Sequence, residues 1–265
     1  MKVAQAKRLL QKSSKAYYWL GFLLADGSIS KKGQVKLRLA KTDKDHVQRF
    51  AKFIHYTGAL GTIEIPSVAF QNTQLTAQFH KLGIVPNKTV NAITVLPNIE
   101  SKLRLALIAG FIDGDGNIGY QTGRTDVKLG VKCYKTWLPF LTDCWKFLVT
   151  RYCVSIPPPK LNRLGYSQLL ITNNVVIRKL YTELRRLHLP LLERKWNKID
   201  CTRKSRYELA RIDLLRARTL REQGLSNKAI ITKMGITPYK LEAMMYRGKL
   251  LRRLIWLRQQ EKLCA

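Results

Sequence analysis

A short segment occurs twice in the chain, and this repeat constrains the fold more than any other feature. Residues 19–27 read WLGFLLADG and residues 108–116 read IAGFIDGDG. The copies share a glycine, a phenylalanine and a final Asp-Gly pair at matching positions, and they lie 89 residues apart (115 − 26 = 89). This offset is about the length of a small domain, so the repeat predicts an internal duplication.

Apolar periodicity predicts the same order of elements around each copy. The first half is predicted to contain, in order, a helix over 14–25, a hairpin turning at 31–33, a helix from Thr42 to near Gly58, a hairpin of strands 62–65 and 68–71, and a helix over 72–82. The second half is predicted to contain a helix over 101–114, a strand over 127–134, a helix over 136–151, a hairpin of strands 156–163 and 166–172, and a helix over 174–187. The sequence therefore predicts an α+β fold of two pseudo-symmetric αββαββα units.

The small residues of the repeat predict that its two helices touch. Gly21 and Ala25 stand four apart on one helix face, as do Gly110 and Gly114 on the other. Small side chains at this spacing let two helix backbones approach closely. The last glycine of the first copy, Gly27, is predicted to end the helix in the left-handed conformation.

The final aspartates of the two copies predict a metal site. Asp26 and Asp115 would each lie at a helix C-terminus, where a negative charge meets the negative end of the helix dipole. A cation between them would compensate this cost, and carboxylates with water and phosphate oxygens suit Mg²⁺. The alternative is a pair of Asp-Gly helix stops with exposed acids.

The charge of the chain predicts a nucleic-acid partner. It has 48 Lys and Arg against 17 Asp and Glu, for a net charge of +31 and an isoelectric point near 10.3. So much like charge disfavours a compact state unless a polyanion neutralises it. A solvated basic surface and a membrane surface are weaker alternatives, the latter because no long, one-sided basic helix is present.

The five cysteines include no CxxC pair, which argues against a zinc cluster or a disulfide framework and indicates a reducing interior.

The last part of the chain, 201–265, lacks strand signals and is predicted to be a separate helical domain. Within residues 224–244, Ser226 is predicted to cap one helix, Gly235 to make a turn, and Thr237 to cap a second helix. This is the spacing of a helix-turn-helix, whose second helix enters the major groove. The groove-facing candidates are Thr237, Tyr239, Lys240 and Glu242. The alternative is a helical extension packed on the core. The predicted domains are 1–97, 98–200 and 201–265.

With these residues in view, the sequence resembles the LAGLIDADG homing endonucleases in their single-chain, two-motif form. The resemblance covers about residues 14–196 and implies that Asp26 and Asp115 bind the catalytic metal, Mg²⁺, with Mn²⁺ or Ca²⁺ able to occupy the same sites. The earlier acidic position of the motif is Asp113 in the second copy and Leu24 in the first. That position is not a metal ligand in the family.

The resemblance also implies a saddle of strands that lies in the major groove of a long DNA site. The basic residues expected to contact DNA from the strands and their turns are Lys31, Lys32, Lys36, Arg38, Lys41, Arg124, Lys128, Lys132, Lys135, Lys160 and Arg163. Family members carry a basic residue after the last helix of each unit. The matching segments IVPNKT and LLERKW nominate Lys88 and Lys195 as catalytic lysines near the scissile phosphates.

The function expected from this resemblance is site-specific, metal-dependent cleavage of both DNA strands, leaving short 3′ overhangs. The alternatives are a non-enzymatic DNA-binding regulator, which would have no need for paired acids, and an intron-splicing maturase with its host intron RNA as partner. We expect a monomer that acts on double-stranded DNA, without a membrane, in a reducing intracellular compartment. Bacterial cytoplasm and an organelle are not distinguished.

Overall fold

The structure, a computed structural model, describes residues 5–81, 85–88, 97–120, 127–202 and 206–246 of the 265 in the chain. The chain divides into two compact units, Met1–Cys201 and Thr202–Ala265. The first unit contains both copies of the repeat. Arg124, one of the predicted DNA contacts, lies outside the described residues.

The first half of the larger unit contains α1 (Ser14–Ala25), β1 (Gly27–Ile29), β2 (Gln34–Arg38), α2 (Lys44–Phe53), β3 (Ser67–Gln71) and α3 (Thr73–Lys81). The Ser13 hydroxyl caps α1 by accepting a hydrogen bond from the Ala16 amide at 3.3 Å. The prediction that Thr42 caps the next helix is wrong. Thr42 lies inside a 3₁₀ turn, Lys41–Asp43, and α2 begins only after it.

The predicted strand over 62–65 is also wrong. A bridge joins Gly61 to Pro66, and the Thr62 hydroxyl accepts a hydrogen bond from the Ile65 amide at 3.1 Å. Because these bonds close the segment on itself, residues 61–66 form a tight loop and not a strand. The described first half therefore runs αββαβα, one strand fewer than predicted.

The second half follows the predicted αββαββα order. It contains α4 (Ser101–Asp115), β4 (Gly116–Tyr120), β5 (Val127–Tyr134), α5 (Leu138–Tyr152), β6 (Lys160–Leu161), β7 (Tyr166–Ile171), α6 (Asn174–Arg186) and a short α7 (Glu193–Trp196). Asn173 caps α6 with its side-chain oxygen, which accepts hydrogen bonds from the amides of Val175 and Val176.

Each half builds an antiparallel sheet, with strand orders β1-β2-β3 and β4-β5-β7-β6. Buried and more exposed residues alternate along β2, β5 and β7, as the sequence pattern predicts. In β5, for example, Leu129 and Val131 are buried whereas Lys132 is exposed. One face of each sheet thus covers the core, and the other carries the polar and basic side chains.

The core of this unit joins the two halves through α1 and α4. The largest fully buried side chains come from both copies of the repeat and from the helices beside them, among them Trp19, Phe22, Phe50, Phe111 and Phe140. Burying aromatic side chains contributes strongly to stability. The two repeat helices are therefore the centre of the unit.

The smaller unit contains α8 (Arg206–Glu222), α9 (Asn227–Met234) and a further helix over 238–246. Ser226 caps α9 by accepting from the Ala229 amide, Gly235 has a φ of 60°, and the Thr237 hydroxyl accepts from the Lys240 amide at 3.2 Å. These local features are the predicted ones. The small core that joins the three helices consists of Leu214, Ala217, Leu220, Ile230, Leu241 and Met244.

Among the described residues, no helix is both long and apolar enough to cross a membrane. Four cysteines fall in the described part of the chain, Cys133, Cys144, Cys153 and Cys201, and all four are free.

Candidate active site

The two repeat helices touch through their glycines. A Cβ added to Gly21 would lie 1.9 Å from the Leu107 carbonyl oxygen, and one added to Gly110 would lie 1.9 Å from the Tyr18 carbonyl oxygen. The contact is reciprocal, with each glycine receiving a carbonyl of the partner helix. Glycine is therefore required at both positions for the backbones to come this close.

The second pair of small residues brings the ends of the helices together. A Cβ on Gly114 would lie 2.2 Å from the Cβ of Ala25, so the two helices meet there as predicted. The prediction that Gly27 adopts a left-handed conformation is wrong, because Gly27 is the first residue of β1 and its φ is not positive. Its Cβ would instead lie 2.5 Å from the Leu23 carbonyl oxygen, so glycine allows the tight passage from helix to strand.

The two aspartates lie where these helices end. Asp26 follows α1 directly and Asp115 is the last residue of α4. Both aspartates are open to solvent on one side, but partial desolvation by the surrounding protein raises the pKa of both carboxyl groups above the ordinary value, and the negative charge of Asp26 raises the pKa of Asp115 further. The positive charges of Lys195 and Lys88 act on both groups in the opposite direction. The structure thus brings all four residues of the predicted catalytic set into one electrostatic cluster.

Each helix end also receives an ammonium group. Lys88 donates a hydrogen bond to the Ala25 carbonyl. The Lys195 ammonium lies 2.5–3.3 Å from the carbonyl oxygens of Ile112, Asp113, Gly114 and Gly116, which share its three N–H donors. Burial lowers the pKa of both lysines, and the neighbouring aspartates partly offset this effect. Because these carbonyls form the negative ends of the helix dipoles, the lysines stabilise both helix ends.

The chemistry of these donors fits a magnesium ion. The charge of Asp26 disfavours ionisation of Asp115, and a divalent cation would relieve this cost. The described residues contain no group of three or more His, Cys, Asp or Glu side chains that could enclose a metal. Mg²⁺ is commonly held by only one or two carboxylates, with substrate phosphates and waters completing its shell, so two aspartates suffice.

The chain is similar to LAGLIDADG homing endonucleases of known structure. The meganuclease I-SmaMI bound to uncleaveable DNA aligns over 86% of this chain and 96% of its own, with 9% identity and a TM-score of 0.44. I-AabMI bound to uncleaved DNA aligns over 83% and 98%, with 10% identity and a TM-score of 0.45. I-LtrWI bound to target DNA aligns over 71% and 86%, with 11% identity and a TM-score of 0.45. No protein-family profile and no curated protein matches the chain.

The earlier acid of the second copy of the repeat, Asp113, has a role that the sequence did not reveal. Its fully buried carboxylate accepts hydrogen bonds from the Tyr18 hydroxyl at 2.6 Å, the Leu192 amide at 2.9 Å and the Trp196 indole at 2.5 Å. Burial raises its pKa to about 6, against the effect of these donors. Asp113 therefore joins both motif helices to α7, the short helix that carries Lys195.

The same network reaches His46 on α2. The Tyr18 hydroxyl lies 3.0 Å from the His46 Nε2 atom, and burial lowers the pKa of His46 to about 3. His46 is therefore neutral at physiological pH. An apolar pattern alone had placed α2 but gave no signal for this histidine or for Tyr18.

Beside Asp26 the structure places an ion pair that the sequence did not single out. Arg194 donates to both carboxylate oxygens of Asp43, at 2.5 and 2.6 Å. Both residues line a cavity that also contains Asp26, Arg38 and Gly114. The sequence offers only an indirect indication of this pair. Arg194 directly precedes Lys195, a predicted catalytic residue, and Asp43 directly follows Thr42, the predicted helix cap.

The predicted DNA contacts of the larger unit lie on the outer faces and edges of the sheets. Lys36 and Arg38 alternate with buried residues of β2, and Lys128 and Lys132 do so in β5. Strand register places Lys132 and Lys160 on either side of Gln168 in β7. The remaining described candidates are exposed in turns or at strand ends: Lys31, Lys32, Lys41, Lys135 and Arg163.

Some of these basic side chains have partners within the chain. Lys41 pairs with Glu64 at 2.6 Å between two well-exposed groups. The Lys132 ammonium lies 4.4 Å from the centre of the Tyr166 ring. In the smaller unit, Lys240 pairs with Asp213 at 3.3 Å, whereas Tyr239 is 81% exposed. Exposed pairs of this kind are weak enough to exchange for a phosphate contact.

Proposed function

We propose that the chain is a divalent-metal-dependent, site-specific DNA endonuclease. One observation carries the proposal: two aspartates lie at the ends of two helices in direct backbone contact, where the charges of the same two lysines act on both. A regulator that only binds DNA gains nothing from placing one carboxylate where its charge raises the pKa of another. Perturbed titratable groups of this kind are typical of functional sites.

The basic outer faces of the sheets would hold the DNA. Lys36, Arg38, Lys128 and Lys132 point away from the core along β2 and β5, where they can reach phosphates and base edges. A net charge of +31 would make binding strongly dependent on salt. The proposed partner is double-stranded DNA, bound by a monomer because one chain already contains both motifs.

The site residues divide the chemistry between them. Asp26 and Asp115 would hold Mg²⁺, which when bound supplies positive charge to a phosphodiester under attack by water. Lys88 and Lys195 hold fixed ammonium groups beside the carboxylates, where they would stabilise negative charge that develops on the phosphate. Cleavage of one strand at each aspartate, with short 3′ overhangs, is the outcome that the motif resemblance suggests.

The proposal is tested by selecting a cleavage site and then removing the acids. A pool of duplexes with a long randomised segment, incubated with the protein and Mg²⁺, should yield a recovered, cleaved site. Asp26→Asn and Asp115→Asn should each slow cleavage of that site by about 100-fold or more while leaving its binding within a few-fold.

The matched control is Asp45→Asn, because Asp45 is exposed on α2. It should cleave like the wild-type protein. Specific binding of DNA without any cleavage by the wild-type protein would contradict the endonuclease proposal and favour the regulator. Promotion of the splicing of its host intron RNA, without cleavage of DNA, would favour the maturase.

We also propose that the smaller unit binds DNA as a helix-turn-helix. Tyr239 lies in the first turn of the helix over 238–246, the part of a recognition helix that contacts bases. Tyr239→Ala should weaken binding to the selected site by about 1–3 kcal/mol. Tyr246→Ala is the control, because this tyrosine is also exposed but lies two turns later in the helix. Equal effects of the two substitutions would contradict the proposal.

A further inference from the structure

The two aspartate sites differ in the residues that surround them. When the lysine-bearing segments are matched, Lys195 has Arg194 before it, whereas Lys88 has Asn87. When the ends of β2 and β5 are matched through Lys41 and Lys135, Asp43 corresponds to Trp137. The Asp43–Arg194 ion pair therefore has no charged counterpart at the corresponding positions of the other half.

The ion pair is built to hold the guanidinium in one orientation. Nε and Nη2 of Arg194 donate to separate oxygens of Asp43, at 2.5 and 2.6 Å, in a two-pronged arrangement. The Asp43 side chain is only 7% exposed, whereas that of Arg194 is 51% exposed. Because a guanidinium has five N–H groups and this contact uses two of them, Arg194 can donate to a second anion from its open side.

Arg194 lies beside the Asp26 site. Arg194 lines one cavity with Asp26, Arg38 and Gly114. Its charge lowers the pKa of Asp26, against the larger effect of burial. The charges that act on Asp115 are those of Asp26, Lys88 and Lys195. Arg194 thus belongs to one aspartate site and not equally to both.

Near Asp115, and at the position that matches Asp43, the structure has neutral groups. The Cys133 thiol lies 4.0 Å from an Asp115 oxygen, and a cysteine side chain never carries a positive charge. The Trp137 ring packs against Phe111 and Phe140 in the core. Neither group can supply a positive charge to a phosphate.

We propose that Arg194, positioned by Asp43, binds the scissile phosphate at the Asp26 site and makes this site the faster of the two. The inference rests on the proposed endonuclease function. As the oxygen of water bonds to phosphorus and gives up a proton, the P–O3′ bond breaks, O3′ takes up a proton, and negative charge builds on the non-bridging oxygens. A guanidinium in a fixed orientation binds those oxygens through two parallel N–H groups. The duplex is therefore nicked on one strand before the other.

The test measures the two strands separately. The selected site is labelled differently on each strand, and cleavage by excess protein with Mg²⁺ is followed in a single turnover. The wild-type protein should nick one strand first. Arg194→Gln should slow that strand by about 100-fold, as expected for the loss of one charged donor, and leave the other strand within about twofold.

Two further variants separate phosphate binding from a structural role. Arg194→Lys keeps a positive charge and should restore part of the rate of the same strand. Asp43→Asn leaves the arginine in place but loosens it, so the same strand should slow by a smaller factor. A loss of fold would instead slow both strands together, which would contradict the proposal.

Arg49→Gln is the matched control. Arg49 on α2 also donates to the α7 region, to Glu193 at 2.9 Å, but it does not line the cavity. It should leave the ratio of the two strand rates unchanged. Normal wild-type cleavage with an unchanged ratio in Arg194→Gln would overturn this inference alone. Failure of the wild-type protein to cleave DNA that it binds would overturn the endonuclease proposal together with it.

Discussion

A lysine donates to backbone carbonyls at the end of each motif helix, α1 and α4, but different residues hold the two lysines in place. At the end of α4, Lys195 donates to four carbonyl groups and comes from a helix that Asp113 fixes through Trp196 and the Leu192 amide. At the end of α1, Lys88 donates to the Ala25 carbonyl, and the position matching Asp113 is the apolar Leu24. The second lysine is therefore anchored by a buried acid, and the first is not anchored in this way.

This difference separates what the duplication preserved from what it did not. The glycine contacts are reciprocal and almost identical in distance, since each depends only on the backbones of α1 and α4. The side chains around each aspartate differ, with Asp113 and Cys133 on one side and Asp43 and Arg194 on the other. The backbone contact is thus the common requirement, and the surrounding side chains set the properties of each site.

The largest effect on the free energy of unfolding is expected at the glycine contact that the two motif helices share. Gly21→Val and Gly110→Val should each lower the free energy of unfolding by more than about 4 kcal/mol, because the new side chain overlaps a backbone carbonyl that cannot move alone. Urea denaturation checks this. Gly119→Ala is the control, since a Cβ there meets nothing within 4 Å. A large effect at only one of the two motif glycines would show that the helix contact is not reciprocal.

The second largest effect on the free energy of unfolding is expected at Asp113, which has no acidic counterpart in the first motif. Asp113→Leu, which copies the first motif, should cost about 2–5 kcal/mol because it leaves the Leu192 amide and the Trp196 indole buried without their acceptor. Asp113→Asn keeps an acceptor and should cost less. Urea denaturation of both variants measures this order. Equal stability of Asp113→Leu and the wild-type protein would mean that the acid does not anchor α7.

The pH dependence of stability isolates the same group. The pKa of Asp113 is raised from 3.8 to about 6 in the folded protein. A protonated Asp113 therefore contributes stability that is present below pH 3.8 and lost as the pH rises through about 6. The stability of the wild-type protein relative to Asp113→Asn should fall by about 2–3 kcal/mol across this window. A constant difference from pH 4 to 7 would contradict the raised pKa.

The sequence predicted the parts that depend on local pattern and on small side chains. The motif spacing placed Gly21, Gly110, Asp26 and Asp115 where the structure has them, because helix periodicity and close packing leave one arrangement. It did not predict the ion pair of Asp43 with Arg194, whose residues are 151 positions apart. Such a contact depends on how separate elements pack, and no periodicity encodes it.

The errors in the fold have a similar origin. Apolar alternation suggested a strand at 62–65, but a hydrogen bond from the Ile65 amide to the Thr62 hydroxyl and the bridge between Gly61 and Pro66 stabilise a loop there instead. Short polar side chains compete with sheet hydrogen bonds in this way. For Gly27, the last residue of the first motif, the sequence predicted a left-handed conformation. The structure instead requires glycine there because a Cβ would overlap the Leu23 carbonyl oxygen.

The smallest effect is expected from the lysines and compares the two helix ends most directly. Lys195→Met should lower the free energy of unfolding by about 1–2 kcal/mol, because buried carbonyl groups at the end of α4 lose their donor while the methionine keeps the apolar packing. Lys88→Met should cost less than about 1 kcal/mol, because one carbonyl loses its donor and the cost of burying a charge is removed. Cleavage should fall in both variants, since each lysine lies beside the aspartates. Urea denaturation and single-turnover cleavage, measured on the same preparations, separate the two roles. If Lys88→Met were the less stable variant, support from the Asp113 network could not be what distinguishes the two ends.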